Sequence, residues 1–376
     1  MHLKSVTVTL HLILLFFLPL LPLQQPQQQQ PPPPIPPALD RLKIFLGTFD
    51  VTEHYEKTSL FPKGGESHGQ YKSHAGPANF SYISDFWTSG GPEGSIAGEQ
   101  VITWDTDSAG LKRYTFGSNF PGAFISPGDW QENSLVFGGD FEFNNQKLHF
   151  TDSTTLGSSP DLFSMKEIFT GQESSTTMLT MTAKKASASG TVSTLPAAAQ
   201  GTKHADIAER TGPEPPAPPT VKDLKTGIQK MSFLVGSWHY QQKFQKGGMT
   251  PDGGVGEGNY TAVVGPGGKS ILTDFSETSG PLAGTSAHEI FTYDDAQAQY
   301  TGYAFVSSGP GCFTRTGAWE ADRLVFNREL TIQGQKFHMR FVYTLLAPDT
   351  LTIETYTGLN DQPLALSFST SAKKQQ

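Results

Sequence analysis

The residues with the strongest chemical look are GPGGKS at 265–270. The stretch ends as a phosphate-binding loop does. That loop needs a glycine five positions before its Gly-Lys-Ser, followed by a helix. Position 263 is Val263, the related stretch at 76–81 is GPANFS, and no strand–turn–helix pattern surrounds either. A hairpin turn is the expectation. His149 and His338 recur in QKLH and QKFH. Strand alternation sets each opposite its apolar neighbours, Leu148 and Phe150 or Phe337 and Met339, so both should point outward to the surface or rim. No second ligand recurs beside them at metal-like spacing, and no metal site is assigned. Asp85 and Asp274 stand mid-strand, where aspartate is disfavoured. A partner inside or at the rim is expected, with a structural hydrogen bond to a turn as the leading reading. The single cysteine, Cys312, rules out an intramolecular disulfide and a four-cysteine zinc site, and reads as a small turn residue in SGPGCF. No Ser-His-Asp order, paired-carboxylate motif or nucleophile elbow is identifiable. No catalytic residue and no cofactor is therefore assigned.

These residues must be held by folded elements, and composition bounds what those are. The chain has 376 residues, a net charge of −8 and 26 phenylalanines. The acidic balance argues against a nucleic-acid partner, which needs a basic face. Residues 1–23 carry Lys4 and then an apolar run from Leu10 to Leu23. That is the plan of a secretory signal, shorter than a bilayer-crossing helix. A cleaved signal and a retained N-terminal anchor both stay open. The protein is expected to be exported to the periplasm, cell envelope or exterior, touching a membrane only through this segment if it is uncleaved. Residues 24–37 are a Gln/Pro-rich tether.

Sliding the chain by 189 residues superposes it on itself. Gly47 meets Gly236, Gly69-Gln-Tyr71 meets Gly258-Asn-Tyr260, and YTFGSNFPGAF from Tyr114 meets YAFVSSGPGCF from Tyr303. Trp130 meets Trp319, and LVF at 135–137 meets LVF at 324–326. About 30 identities fall in the gap-free stretch 42–150. The chain is thus two copies, 38–185 and 222–374, joined by an Ala/Ser/Pro-rich linker over 186–221.

In the second copy Thr220 is a plausible N-cap, with Leu224, Ile228 and Met231 at helical spacing. Strand patterns follow. Phe337, Met339, Phe341 and Tyr343 alternate with His338, Arg340 and Val342, and turn signals recur every 10–15 residues. About nine strands and one short leading helix are expected per copy. An up-and-down sheet of that size removes its edges by closing into a barrel. A short helix and then Gly-x-aromatic on the first strand resembles the start of a calycin, the superfamily of lipocalins and fatty-acid-binding proteins. The fuller pattern FLVGSW, G-x-G-x-Y, GPGGKS and YDDAQAQYTGY resembles the bacterial family called domain of unknown function 1579. Copy 1 departs from it at Phe49 and Trp104. The resemblance implies an all-β fold of two tandem antiparallel barrels, each preceded by a short helix, with Phe49 and Trp238 plugging the closed ends. It supplies no site residues, although some calycins bind haem through histidine.

Three functional readings follow. The first is a non-enzymatic binding protein, with a hydrophobic small molecule held in one or both barrels by Tyr114, Phe116 and Phe124 in copy 1 and by Tyr303, Phe305 and Phe313 in copy 2. The second is a structural or protein-interaction module with filled barrels, and the third is an enzyme. Interior volume discriminates the first two: about 300 Å³ or more favours binding. Oligomeric state is not legible.

Overall fold

A computed structural model describes residues 33–59, 61–143, 146–159, 161–170, 175–186, 227–247, 250–332 and 334–375. The N-terminal segment 1–23, most of the tether and nearly all of the linker lie outside them, as do Thr220 and Leu224.

Each copy closes into a ten-stranded antiparallel barrel in which every strand pairs with its neighbours in sequence and the last returns to the first. The first barrel is β1 Gly47–Tyr55, β2 Gly65–Ala75, β3 Ser81–Gly91, β4 Gly94–Asp105, β5 Gly110–Gly117, β6 Phe124–Gln131, β7 Ser134–Phe143, β8 Gln146–Leu156, β9 Leu162–Thr170 and β10 Ser175–Lys185. The second is β11 Gly236–Phe244, β12 Gly254–Val264, β13 Ser270–Ser279, β14 Ser286–Asp294, β15 Gln299–Val306, β16 Phe313–Glu320, β17 Arg323–Ile332, β18 Gln335–Ala347, β19 Thr350–Leu359 and β20 Ala365–Lys374. The tenth strand per copy comes from the β16–β17 hairpin. Its turn, WEADRL, has no glycine or proline, and Ala321 adopts φ 56° itself. Gly265–Ser270 is indeed a turn between strands, built on a single 3₁₀ turn at Pro266–Gly268.

Period-2 burial explains the strands. In β1, Phe49, Val51, Glu53 and Tyr55 are buried while Asp50, Thr52 and His54 are exposed. The leading helix of copy 1 is α1 Pro37–Asp40 running into a 3₁₀ segment at Arg41–Phe45; copy 2 has a 3₁₀ helix, Gly227–Leu234. Gly47 and Gly236 then turn the chain into the first strand at φ 121° and 131°, angles that L side chains avoid. Behind them Phe49 and Trp238 are fully buried, and the Trp238 indole N–H donates to the Leu234 carbonyl at 2.8 Å.

The barrels pack on each other through the outer faces of β3–β5 and β12–β15. Ile83, Val101, Tyr114 and Phe116 meet Val263, Leu272, Ile290, Tyr303 and Phe305 in one buried apolar cluster. Ring contacts exchange partners between the copies: Tyr114 meets Phe305 at 5.4 Å and Phe116 meets Tyr303 at 5.3 Å. Beside the rings, His288 Nε2 lies 2.8 Å from Glu99 Oε1 across the seam, and its Nδ1 lies 2.9 Å from Asp274 Oδ1 on the adjacent strand. Burial alone would push the imidazole pKa down. The two carboxylates outweigh that and push it up to about 10, so His288 is a buried cation at neutral pH. Asp274 thus has a partner at the seam, not at a turn.

Candidate ligand cavity in the first barrel

The first barrel encloses a cavity of about 380 Å³. Leu42, Phe45 and Tyr82 close its helix end. Phe86, Phe137, Phe150, Phe163 and Phe169 form an aromatic wall, and Tyr55, Glu93, Phe120 and Phe124 stand at the opposite mouth. Between them the wall is charged. Arg113 on β5 is ion-paired with Asp152 on β8, donates through Nε to Ser126 Oγ at 3.2 Å, and lies 4.4 Å above the Phe137 ring. Asp152 Oδ1 is buried without a hydrogen-bond partner among the described residues. Glu167 on β9 pairs in register with Asp152 and has no side-chain hydrogen bond among the described residues. Burial first, and then the Asp152 charge, push its pKa up to about 7. At the mouth the Tyr55 hydroxyl lies 3.1 Å from Glu53 Oε2 and 3.2 Å from Glu93 Oε2, and Ser67 Oγ donates to Glu53 at 2.5 Å. Burial raises the Glu93 pKa. The Tyr55 hydrogen bond opposes this and the neighbouring Glu53 adds to it.

The second barrel is filled. Trp238, Tyr240, Phe291, Phe326, Met339, Phe341 and Tyr343 belong to one continuous buried cluster, whereas the apolar core of the first barrel is split into three clusters. Arg315 on β16 takes the centre, 2.6 Å from Glu289 Oε1 and 2.6 Å from the Tyr343 hydroxyl. The rings of Phe291, Phe326, Phe341 and Tyr343 stand within 4.4–5.7 Å of its guanidinium. A Cβ on Gly302, the counterpart of Arg113 in copy 1, would press on Phe291, Arg315 and Glu289 at 3.1–3.2 Å, which leaves no room for a large side chain there. The interior arginine has changed strands between the copies.

Of the six rings expected to hold a ligand, Phe124 lines the cavity, 4.8 Å from Phe150. Phe313 packs on the second core beneath the Arg328 guanidinium at 3.4 Å. Tyr114, Phe116, Tyr303 and Phe305 face out of their barrels into the seam, and line neither interior. In β5 the inward residues are Leu111, Arg113 and Thr115. The alternation was legible, but its apolar face is buried against the other barrel. Sequence reasoning missed Glu53, Arg113, Asp152 and Glu167. Their signal was a charge on the same strand face as a core ring, as with Phe150 and Asp152.

His149 and His338 point outward as expected, 2.7 Å from Asp140 and 3.3 Å from Glu329. Among the described residues no group of three His, Cys, Asp or Glu side chains is placed to hold a metal ion. Cys312 lies at the seam, where burial pushes its thiol up to about 12 and leaves it a poor nucleophile.

Closed ten-stranded up-and-down order with a leading helix defines a calycin-like barrel protein, here in tandem. No family model matches the chain, and no curated protein matches it. Among solved structures it is similar to the S-type phycobiliprotein lyase CPES of Guillardia theta, at 13% identity over 39% of this chain and 92% of that one, TM-score 0.29. It is also similar to EF1p2_mFAP2b bound to DFHBI, at 14% identity over 40% and 99%, TM-score 0.22. A third likeness is to a DUF3598-family protein of unknown function from Nostoc punctiforme, at 10% identity over 91% and 100%, TM-score 0.18. Likenesses this distant carry no functional argument.

Proposed function

We propose that the protein is a non-enzymatic binding protein in which the first barrel holds one small molecule and the second serves as its structural partner. The carrying observation is the contrast in interiors: about 380 Å³ of ring-lined space in one barrel and a continuous side-chain core in the other. That volume lies in the range of small-molecule sites. In this reading residues 1–23 direct export, and the mature chain begins after them. The kinship with domain of unknown function 1579, proposed on the repeated motif, adds no site residue.

Native mass spectrometry of protein purified from its own host tests the assignment. One small molecule per chain is expected, and it should be lost from a variant with Ile102→Phe and Thr154→Tyr. These changes install bulk that copy 2 carries at Phe291 and Tyr343. Mass and N-terminal sequence from the same sample report on export. A bare chain that also fails to bind apolar fluorescent probes would sink the reading.

A further inference from the structure

We propose that the first barrel selects a small organic cation, with an ammonium-type head among Glu53, Glu93 and Glu167 and a ring-bearing body on the phenylalanine wall. This rests on the cavity being a ligand site. Charge balance is the first argument. Four carboxyls, Glu53, Glu93, Asp152 and Glu167, line the cavity against one guanidinium, Arg113. Arg113 is already engaged by Asp152 and Ser126, so among the described residues three acids lack a cation in a space where unpaired charge is costly.

Hydrogen bonding is the second argument. Tyr55 has one hydroxyl proton and two carboxylates within 3.2 Å of it. That proton serves one of them at a time; Glu53 also accepts from Ser67 Oγ, whereas among the described residues Glu93 has only the Tyr55 proton to share. Glu167 has no hydrogen-bonded partner among the described residues, and Asp152 Oδ1 is buried with none. Every vacant polar atom named here is an acceptor, and a ligand rich in N–H donors satisfies acceptors.

The second copy supplies the third argument. At the positions of Glu53, Tyr55 and Glu93 it has Gln242, Phe244 and Leu282. Thr355 stands opposite Phe341 where Glu167 stands opposite Asp152. The acids at these positions were therefore not needed to build a barrel of this kind; the second copy carries its own buried mouth acid, Glu277, at the position of Thr88. The filled copy also shows a cation that such an interior accommodates: the Arg315 guanidinium, paired with one carboxylate inside a cage of rings.

The test is calorimetric titration of the full chain, at about pH 8 where carboxyls ionise, with three probes that share one ring system: 1-naphthylmethylamine, 1-naphthalenemethanol and 1-naphthaleneacetate. The amine is expected to bind at least about tenfold tighter than the alcohol, and the acetate weakest, as charge-assisted pairing requires. Glu167→Gln with Glu93→Gln should remove that preference, and a cooperative thermal unfolding transition shows that the variant is folded. Equal affinity for amine and alcohol, or a preference that survives in the double variant, overturns the cation assignment and leaves the cavity reading standing. No binding of any probe at about 1 mM overturns both.

Discussion

The two barrels share strand order and spacing, and differ in what fills them. Ile102, Asp152 and Thr154 in the first stand where Phe291, Phe341 and Tyr343 stand in the second. These exchanges enlarge one interior and pack the other, while the closed ends stay alike. A barrel's stability can thus reside in its plug, its seam and its closure, leaving the centre free to be hollow or solid.

The largest effect expected is at the plugs. Trp238→Ala should lower stability by about 5 kcal/mol and Phe49→Ala by about 3 kcal/mol, because Trp238 belongs to the continuous core and Phe49 to a smaller cluster beside the cavity. Denaturant midpoints decide this. Losses below about 1 kcal/mol at both positions would mean that the rings do not close the barrels.

The seam comes next. His288→Ala strands Glu99 in a fully buried position and should cost about 3 kcal/mol. Because the folded pKa of His288 is raised, its contribution is complete below the usual value of about 6.5 and lost as pH rises through about 10. A flat unfolding midpoint from neutral pH to beyond that value would show that the pair adds no stability.

Copying the filled interior into the hollow one gives a smaller change in stability and a clear change in binding. Ile102→Phe with Thr154→Tyr should raise stability by about 0.5–2 kcal/mol and abolish uptake of apolar fluorescent probes. Retained uptake would place their site elsewhere.

The smallest effect concerns Glu277 in the second barrel, whose pKa burial pushes up to about 7 although the nearby Tyr240 hydroxyl pulls the other way. The folded state then prefers the protonated acid. The penalty is absent below the usual value of about 4.5 and complete above 7, so stability falls as pH rises between them. Glu277→Gln should flatten that limb in a pH series of unfolding midpoints.

Much of this was legible in the residues. The repeat offset and the closed barrel follow from internal likeness and periodicity, while the glycine bends and the buried rings at Phe49 and Trp238 are what the calycin resemblance implies. One hairpin was missed because its turn puts Ala321 in a conformation that glycine usually signals. The site was misread for a different reason. Alternation separates two faces of a strand without saying which is inside. In β5 the apolar face, Tyr114 and Phe116, is the outer one, and the polar face with Arg113 lines the cavity. Two buried surfaces, one against a neighbour and one around a ligand space, reverse the usual rule.

Glu99 and His288 are separated by 189 residues, the repeat offset itself. A residue touches its own counterpart only on a two-fold axis. In a homodimer of single barrels that spot would hold two glutamates or two histidines, like charges buried face to face. Within one chain the two counterparts are free to differ, and one is an acid and the other a base. Two identical subunits could not present that acid–base pair on a shared axis.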